Sequence, residues 1–238
     1  MIEMQDTPLM NALGFFQARP ETTYCLGLDI GQVNDYSAIS VVRRSRTPIA
    51  PENGGIDGLT LRQRLTEPRY DVLFLKRLEL GMTYPAQVDY VASLLAKEPL
   101  RSAATKFALD KTGVGRAVYD LFANRRLRLK PIGITITGGN GESQDDFGGY
   151  KVSKINLIGR LQTVFHTGSL KIAPKLKEGP MLATELRNFA MSVAENSGNL
   201  SFSARSGQHD DLLLSVAIST WVLHGPSGHS YSTQEVLL

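Results

Sequence analysis

The stretch LGLDIGQVNDYSAISVV, residues 26–42, decides the fold of this chain. It completes the apolar run YCLGLDI at 24–30, which predicts a buried strand that ends before Gly31. The polar segment GQVND at 31–35 predicts a turn, and AISVV at 38–42 predicts the returning strand of a hairpin. Consecutive strands usually pair in space, so the rest of the fold is expected to assemble around this hairpin.

Outward from the hairpin, apolar runs alternate with segments of helical spacing. This pattern predicts further strands over 70–80, 106–110, 131–136, 170–173 and 200–202, and helices over 85–97, 114–124, 153–167, 180–188 and 209–224. The segment 43–69 predicts a long surface excursion, and the glycine-rich segment 138–149 predicts a flexible loop. The alternation predicts an α/β fold, with a mixed central sheet flanked by helices on both faces.

Length and composition set the class of protein. The chain has 238 residues, 42% of them hydrophobic and 21% charged, as expected for one folded domain. We predict an irregular lead-in over 1–22, the domain over 23–224 and a flexible tail over 225–238. The single cysteine, Cys25, excludes a disulfide framework and a cysteine-based zinc site. The sequence shows neither a membrane span nor a secretory signal, which makes the cytoplasm the expected location.

The charge is modest overall but unevenly distributed. The formal net charge is +3, and both ends of the sequence carry more acidic than basic residues. The middle segment, 31–208, therefore holds the basic surplus. A basic middle predicts a polyanionic partner such as nucleic acid, whereas the alternative is an ordinary solvated surface.

Four carboxylates stand where a buried element begins or ends. Asp29 and Asp110 end apolar strands, and Asp210 and Asp211 open the most apolar helix of the chain. Ligand sites in α/β sheets gather at the carboxyl ends of strands, where such acids would repel one another unless a cation were bound. Oxygen-only ligands suit Mg²⁺ or Mn²⁺, and two such ions can drive phosphodiester cleavage.

Each acid also has a purely structural interpretation. Asp29 is a favoured residue type for the turn that follows it, and Asp110 has Lys111 or Arg116 as a pairing partner. Asp210 and Asp211 suit a helix cap and the helix dipole. The segment DKTGVG after the second strand fits either a phosphate-binding turn or a turn with unusual backbone angles, and the sequence contains no P-loop motif.

Together these segments resemble a known family. The stretches 26–42, FALDKTGVG at 107–115, KINLIGRLQTVFHTGSLKIA at 154–173 and GQHDDLLLSVAIS at 207–219 resemble, in order, the C-terminal nuclease domain of bacteriophage large terminase subunits. The resemblance covers about 24–224 and implies a ribonuclease H-like fold, also found in Holliday-junction resolvases. It implies a metal-dependent endonuclease that cuts concatemeric double-stranded viral DNA during genome packaging.

The resemblance also assigns residues. Asp29, Asp110 and Asp211 match the family's three metal ligands, with Asp210 as a further metal ligand and His209 as a neighbour that can join the site. Five basic residues are candidates for contacting DNA: Lys111, Arg116, Lys151, Lys154 and Arg160. For each of these, a solvated surface charge is the alternative.

The resemblance also implies binding partners, and other functions remain as alternatives. The resemblance implies double-stranded DNA, a packaging ATPase domain or subunit, a small terminase subunit and the portal as partners, no membrane, and the cytoplasm of an infected bacterial host. This sequence contains no packaging ATPase, so we expect either an excised domain or a nuclease encoded as its own chain. The alternatives are a Holliday-junction resolvase, a catalytically idle module that docks DNA or the portal, and an actin-like kinase, which the LDIG segment at 28–31 also resembles.

Overall fold

The computed structural model describes residues 13–32, 35–139, 141–146, 148–195 and 210–225. The predicted strand at 200–202, the candidate residue His209 and nearly all of the predicted tail lie outside these ranges.

The described residues form eight strands and five α-helices. The strands are β1 (Glu21–Asp29), β2 (Ala38–Arg46), β3 (Arg69–Arg77), β4 (Thr105–Asp110), β5 (Ile132–Thr137), β6 (Glu142–Gln144), β7 (Tyr150–Ser153) and β8 (Leu170–Ile172). The helices are α1 (Tyr84–Leu95), α2 (Gly115–Asn124), α3 (Lys154–His166), α4 (Gly179–Glu195) and α5 (Asp211–His224).

All eight strands belong to one mixed sheet in the order β6-β7-β5-β4-β1-β2-β3-β8. Strand β2 is antiparallel to both β1 and β3, and β6 is antiparallel to β7, whereas the other neighbours are parallel. The remaining six strands therefore point the same way, and their carboxyl ends lie along one edge of the sheet. The predicted hairpin and the α/β class with a mixed sheet are confirmed.

Helices cover both faces of this sheet. Apolar side chains of α3, α4 and α5 pack on one face, and those of α1 and α2 pack on the other. Helix α5 is buried from Asp211 to Leu223, because the sheet covers one side of it while α3 and α4 contact it on others. A helix that is apolar on nearly every face requires this cover, as its sequence predicted.

Helix α5 approaches the centre of the sheet very closely. A side chain at Gly27 would place its Cβ 2.4 Å from the carbonyl oxygen of Ser215 and 2.3 Å from Ser219 Oγ, so only glycine fits there. In the neighbouring strand, Ser40 Oγ donates to the Ser215 carbonyl at 2.8 Å and lies 2.9 Å from Ser219 Oγ. These contacts fix the position of α5 over β1 and β2.

Several predicted boundaries were wrong. Strand β1 begins at Glu21, within the predicted lead-in 1–22, because the residues from Glu21 on pair with the arginine-rich end of β2. Strand β2 continues through the arginine-rich residues to Arg46, because Glu21 and Asp71 pair with these arginines. The segment 138–149 contains β6, and β7 follows it, since pairing at the sheet edge provides the order that glycine and polar residues do not signal. Helix α4 extends beyond the predicted 180–188.

The segment between β2 and β3 contains some regular structure. The excursion between β2 and β3 carries a short 3-10 helix, Pro51–Asn53, and bridges between Pro48 and Leu65 and between Ile56 and Gln63. Within the described ranges, no helix combines the length and the hydrophobicity that crossing a bilayer requires.

Candidate carboxylate site

Asp29 and Asp110 lie side by side on the central strands. Strands β1 and β4 are parallel with Leu28 beside Leu109, so the next residue of each strand is one of the two aspartates. Side chains alternate along a strand, and Gly27 faces α5, which puts Asp29 on the same face of the sheet. Both acids therefore stand at the edge where the parallel strands end, as the sequence predicted.

The same row of residues continues across the sheet to a basic side chain. Asp29 pairs with Ala38 of β2, and Ala38 pairs with Arg77 of β3. The row thus runs Asp110, Asp29, Ala38, Arg77 and faces α5. The sequence analysis did not assign a role to Arg77, because its position beside the acids depends on the register of three strands.

The beginning of α5 brings the other two acids to this row. Asp211 is the first residue of α5 and is 6% exposed, and Asp210 precedes it without capping the helix through its side chain. The backbone N–H of Leu213 donates to Glu185 Oε2 of α4 at 2.8 Å, which satisfies one of the free donors at the helix start. Helix α4 therefore holds the beginning of α5 in place.

Asp29 is the electrostatic centre of the site. Its side chain is buried, and this burial raises its pKa well above the usual range, with the charges of Asp110, Asp211 and Asp210 acting in the same direction. Lys154 acts in the opposite direction. Among the described residues, no hydrogen bond or ion pair reaches the Asp29 carboxylate. A proton or a bound cation is needed to relieve such a buried group.

Asp110 is partly compensated by its own turn. The backbone N–H of Thr112 donates to Asp110 Oδ1 at 2.7 Å. Burial raises the pKa of Asp110, whereas the bonds from Thr112 and the charge of Lys154 oppose that rise. Asp110 therefore stabilises its own turn and lies beside Asp29 at the same time.

The remaining acids face cations of the protein. Lys154 Nζ, at the beginning of α3, lies 2.7 Å from Asp210 Oδ2. Arg77 Nε lies 3.4 Å from Asp211 Oδ2, and its Nη2 lies 2.6 Å from Glu185 Oε1. Two side chains, Lys154 and Arg77, therefore bring positive charge into the carboxylate cluster.

Glu185 is an additional acid that the sequence analysis missed. It is buried, and burial raises its pKa to about 7, with the charges of Asp211 and Asp210 contributing to the rise. A signal was present, because Glu185 stands three residues after Leu182 and directly before Leu186, on the apolar face of its helix. An acid on such a face requires a partner, and here the partner is Arg77.

Among the candidate DNA-contacting residues, Lys154 contacts an acid of the cluster, whereas the ammonium group of Lys111 contacts Asp145 and Tyr119. Lys154 contacts Asp210, as described above. Lys111 follows Asp110 directly, with its Nζ 3.9 Å from Asp145 Oδ2 and 4.7 Å from the centre of the Tyr119 ring.

The other three candidates are distributed differently. Arg116 on α2 and Lys151 on β7 are exposed. Arg160 donates to the carbonyl of Gly225 and contacts Glu142 at 3.3 Å, so it lies at the C-terminal end of α5. That helix has 14 residues, which separates its two ends by about 20 Å. The structure thus does not bring Arg160 to the acids.

The chemistry of the donor set fits a hard divalent cation. The grouped ligands are carboxylate oxygens, which Mg²⁺ and Mn²⁺ prefer, and no described residue forms a hydrogen bond or ion pair with the buried Asp29 carboxyl. In the described part of the chain, however, no three His, Cys, Asp or Glu side chains are arranged to hold a metal ion together. Asp110, Asp210 and Asp211 face Thr112, Lys154 and Arg77 instead.

Comparisons with known proteins do not identify the chain. No model of a known protein family matches it, and no curated protein matches it.

Proposed function

We propose that this protein is a metal-dependent endonuclease that cuts double-stranded DNA, with a ribonuclease H-like fold of the resolvase type. The observation that carries the proposal is the grouping of Asp110, Asp210 and Asp211 around the buried Asp29, whose pKa their charges raise. Acids grouped at the carboxyl edge of a parallel sheet are typical of a cation-dependent site.

Each residue of the site has a defined task in the proposal. Asp29 and Asp110 would hold Mg²⁺ or Mn²⁺ from two adjacent strands, and Asp211, with Asp210 beside it, would complete the ligands from α5. When bound, two such ions activate water and stabilise the leaving oxygen of a phosphodiester. The rigid sheet and the buried helix hold the acids in place, because neither can shift without breaking the core.

The charge distribution supports a polyanionic substrate. Lys111, Arg116 and Lys151 are the candidates for holding phosphates near the acids, and the basic middle of the chain would supply long-range attraction.

The biological setting of the proposal comes from the sequence resemblance. A terminase-type nuclease would act on viral DNA concatemers in the cytoplasm of an infected bacterial host. It would work with a packaging ATPase domain or subunit, a small terminase subunit and the portal.

Plasmid cleavage tests the proposed activity. We expect the chain to cut plasmid DNA with Mn²⁺ or Mg²⁺, and Asp29→Asn and Asp110→Asn each to abolish cutting. Asp29→Asn should not lower stability at neutral pH, because it removes a buried carboxylate whose charge burial and three neighbouring acids disfavour, while Lys154 opposes them only in part. Asp120→Asn, at an exposed position of α2, is the matched control and should cut normally.

The outcomes separate the proposal from its alternatives. Intact plasmid at high protein concentration with either metal would refute nuclease activity and favour a docking module. Strong preference for four-way junctions over linear duplex would favour a resolvase acting through the same acids. Cleavage that survives Asp29→Asn would show that these carboxylates are not the active site.

A further inference from the structure

Lys154 occupies a position that links the carboxylate cluster to the surface. Its ammonium group lies 2.7 Å from Asp210 Oδ2, and the side chains of the pair are 24% and 22% exposed. The charge of Lys154 also acts on Asp29 and Asp110, where it opposes the rise of both pKa values. Lys154 thus stabilises the charged forms of Asp210, Asp29 and Asp110 while no metal ion is bound.

The location of Lys154 also makes it accessible to a second anion. It is the first residue of α3, directly after Ser153, whose side chain accepts from the N–H of Asn156. The positive end of the α3 dipole lies at the same place, and Lys151 is exposed three residues earlier. A phosphate at this point would compete with Asp210 for the ammonium group.

We propose that Lys154 is a built-in counter-ion of the carboxylate site, and that its transfer from Asp210 to a DNA phosphate opens the site to the divalent metal. DNA and metal would then bind cooperatively. This inference rests on the proposed metal-dependent function and specifies how that site is regulated.

The arrangement of the acids follows from this role. Asp210 contacts Lys154, and no three of the described acids are arranged to hold a metal ion together. While the Lys154 ammonium group contacts Asp210, a metal ion must displace it to bind that carboxylate. Removal of Lys154 from the cluster takes its positive charge away from Asp210, Asp29 and Asp110, which raises their affinity for Mn²⁺ or Mg²⁺.

Coupling of this kind is reciprocal. If DNA strengthens metal binding by a given factor, metal strengthens DNA binding by the same factor. The effect usually lies between about 5-fold and 150-fold, and we expect the lower end because both side chains of the pair are partly exposed and screened by water.

Mn²⁺ binding tests the proposal without relying on cleavage. The affinity of the full chain for Mn²⁺ is measured by calorimetry, alone and with a phosphorothioate duplex of about 20 base pairs, which keeps its charge and resists cutting. We expect the duplex to tighten Mn²⁺ binding to the wild type about 5-fold or more. Lys154→Met should bind Mn²⁺ about 5-fold more tightly without DNA, and the duplex should add little further gain.

Two variants serve as controls. Lys154→Arg keeps a cation within reach of Asp210 and should retain the coupling. Lys97→Met removes one positive charge from an exposed position after α1 and should leave Mn²⁺ affinity unchanged, which separates the local effect from net charge. Circular dichroism checks that each variant is folded, and Asp210 is exposed enough for water to solvate it when Lys154 is absent.

Each outcome decides between the two proposals. Unchanged Mn²⁺ affinity and unchanged coupling in Lys154→Met would overturn the counter-ion role, even if the wild type cuts DNA. Coupled Mn²⁺ and DNA binding that depends on Lys154, without any cleavage, would support the counter-ion role and refute the nuclease. Absence of Mn²⁺ binding by the wild type, with and without duplex, would overturn both.

Discussion

The closest contact between α5 and the sheet allows a direct test of how the site is positioned. In Gly27→Ala, the new Cβ would lie 2.4 Å from the carbonyl oxygen of Ser215 and 2.3 Å from Ser219 Oγ. Because the Ser215 contact is with helix backbone, a rotamer change cannot relieve it. To reach an ordinary separation of about 3.4 Å, α5 must retreat by roughly 1 Å.

The free-energy cost of this retreat follows from the contacts that it strains. Overpacking of a filled core costs about 1–3 kcal/mol. Weakening of the hydrogen bonds that join Ser40 to the Ser215 carbonyl and to the Ser219 hydroxyl costs about 1 kcal/mol more, whereas loss of glycine flexibility in the unfolded chain offsets about 0.5 kcal/mol. We therefore expect the free energy of unfolding to fall by about 1.5–3.5 kcal/mol.

The shift of α5 also reaches the carboxylate site, because Asp211 is its first residue. Urea unfolding followed by circular dichroism measures the stability, and calorimetry with Mn²⁺ measures binding to the folded variant. Gly58→Ala is the control, since a Cβ there meets nothing within 4 Å. A Gly27→Ala protein as stable as wild type, with unchanged Mn²⁺ affinity, would refute the claim that this contact positions Asp211.

Two further predictions concern stability. Burial raises the pKa of Glu185 to about 7, so the folded state binds this proton more tightly than the unfolded state does. The free energy of unfolding therefore falls as pH rises from about 4.5 to 7. Glu185→Gln keeps an acceptor for the Leu213 N–H and should flatten that fall when urea unfolding is measured between pH 5 and 8, whereas parallel profiles of wild type and variant would contradict this. A Cβ at Gly159 on α3 meets nothing within 4 Å. Gly159→Ala should therefore stabilise the protein by about 0.5–1 kcal/mol and raise its Tm by about 1–4 °C. A lower Tm would show that the helix surface at this position is not open.

Most of the fold was accessible from local pattern. The hairpin of β1 and β2, the buried helix α5 and the helix that begins after Ser153 were all predicted, because apolar periodicity and helix-start residues act over short sequence distances. The strands β6 and β7 were not predicted. They are short and contain polar residues, so pairing rather than propensity makes them strands: β7 pairs with β5, and β6 pairs with β7 at the sheet edge.

The candidate site divides in the same way. The sequence predicted Asp29, Asp110, Asp210 and Asp211 as metal ligands because each acid adjoins an apolar segment. In the structure, the charges of the other three acids act on Asp29. Arg77 was not chosen, since a basic residue near the end of an amphipathic strand is common. Its role depends on the register Asp29–Ala38–Arg77 and on Glu185 of a distant helix.

The sequence by itself determined most of the apolar core, the helices and the central strands, and four of the acids that border the core. Those properties follow from side-chain hydrophobicity and its period along the chain. Only the tertiary structure decided which cations stand among the acids, with Lys154 on Asp210 and Arg77 between Asp211 and Glu185. The physical reason is that these ion pairs join residues distant in sequence, so strand register and helix packing, rather than any local pattern, set their distances.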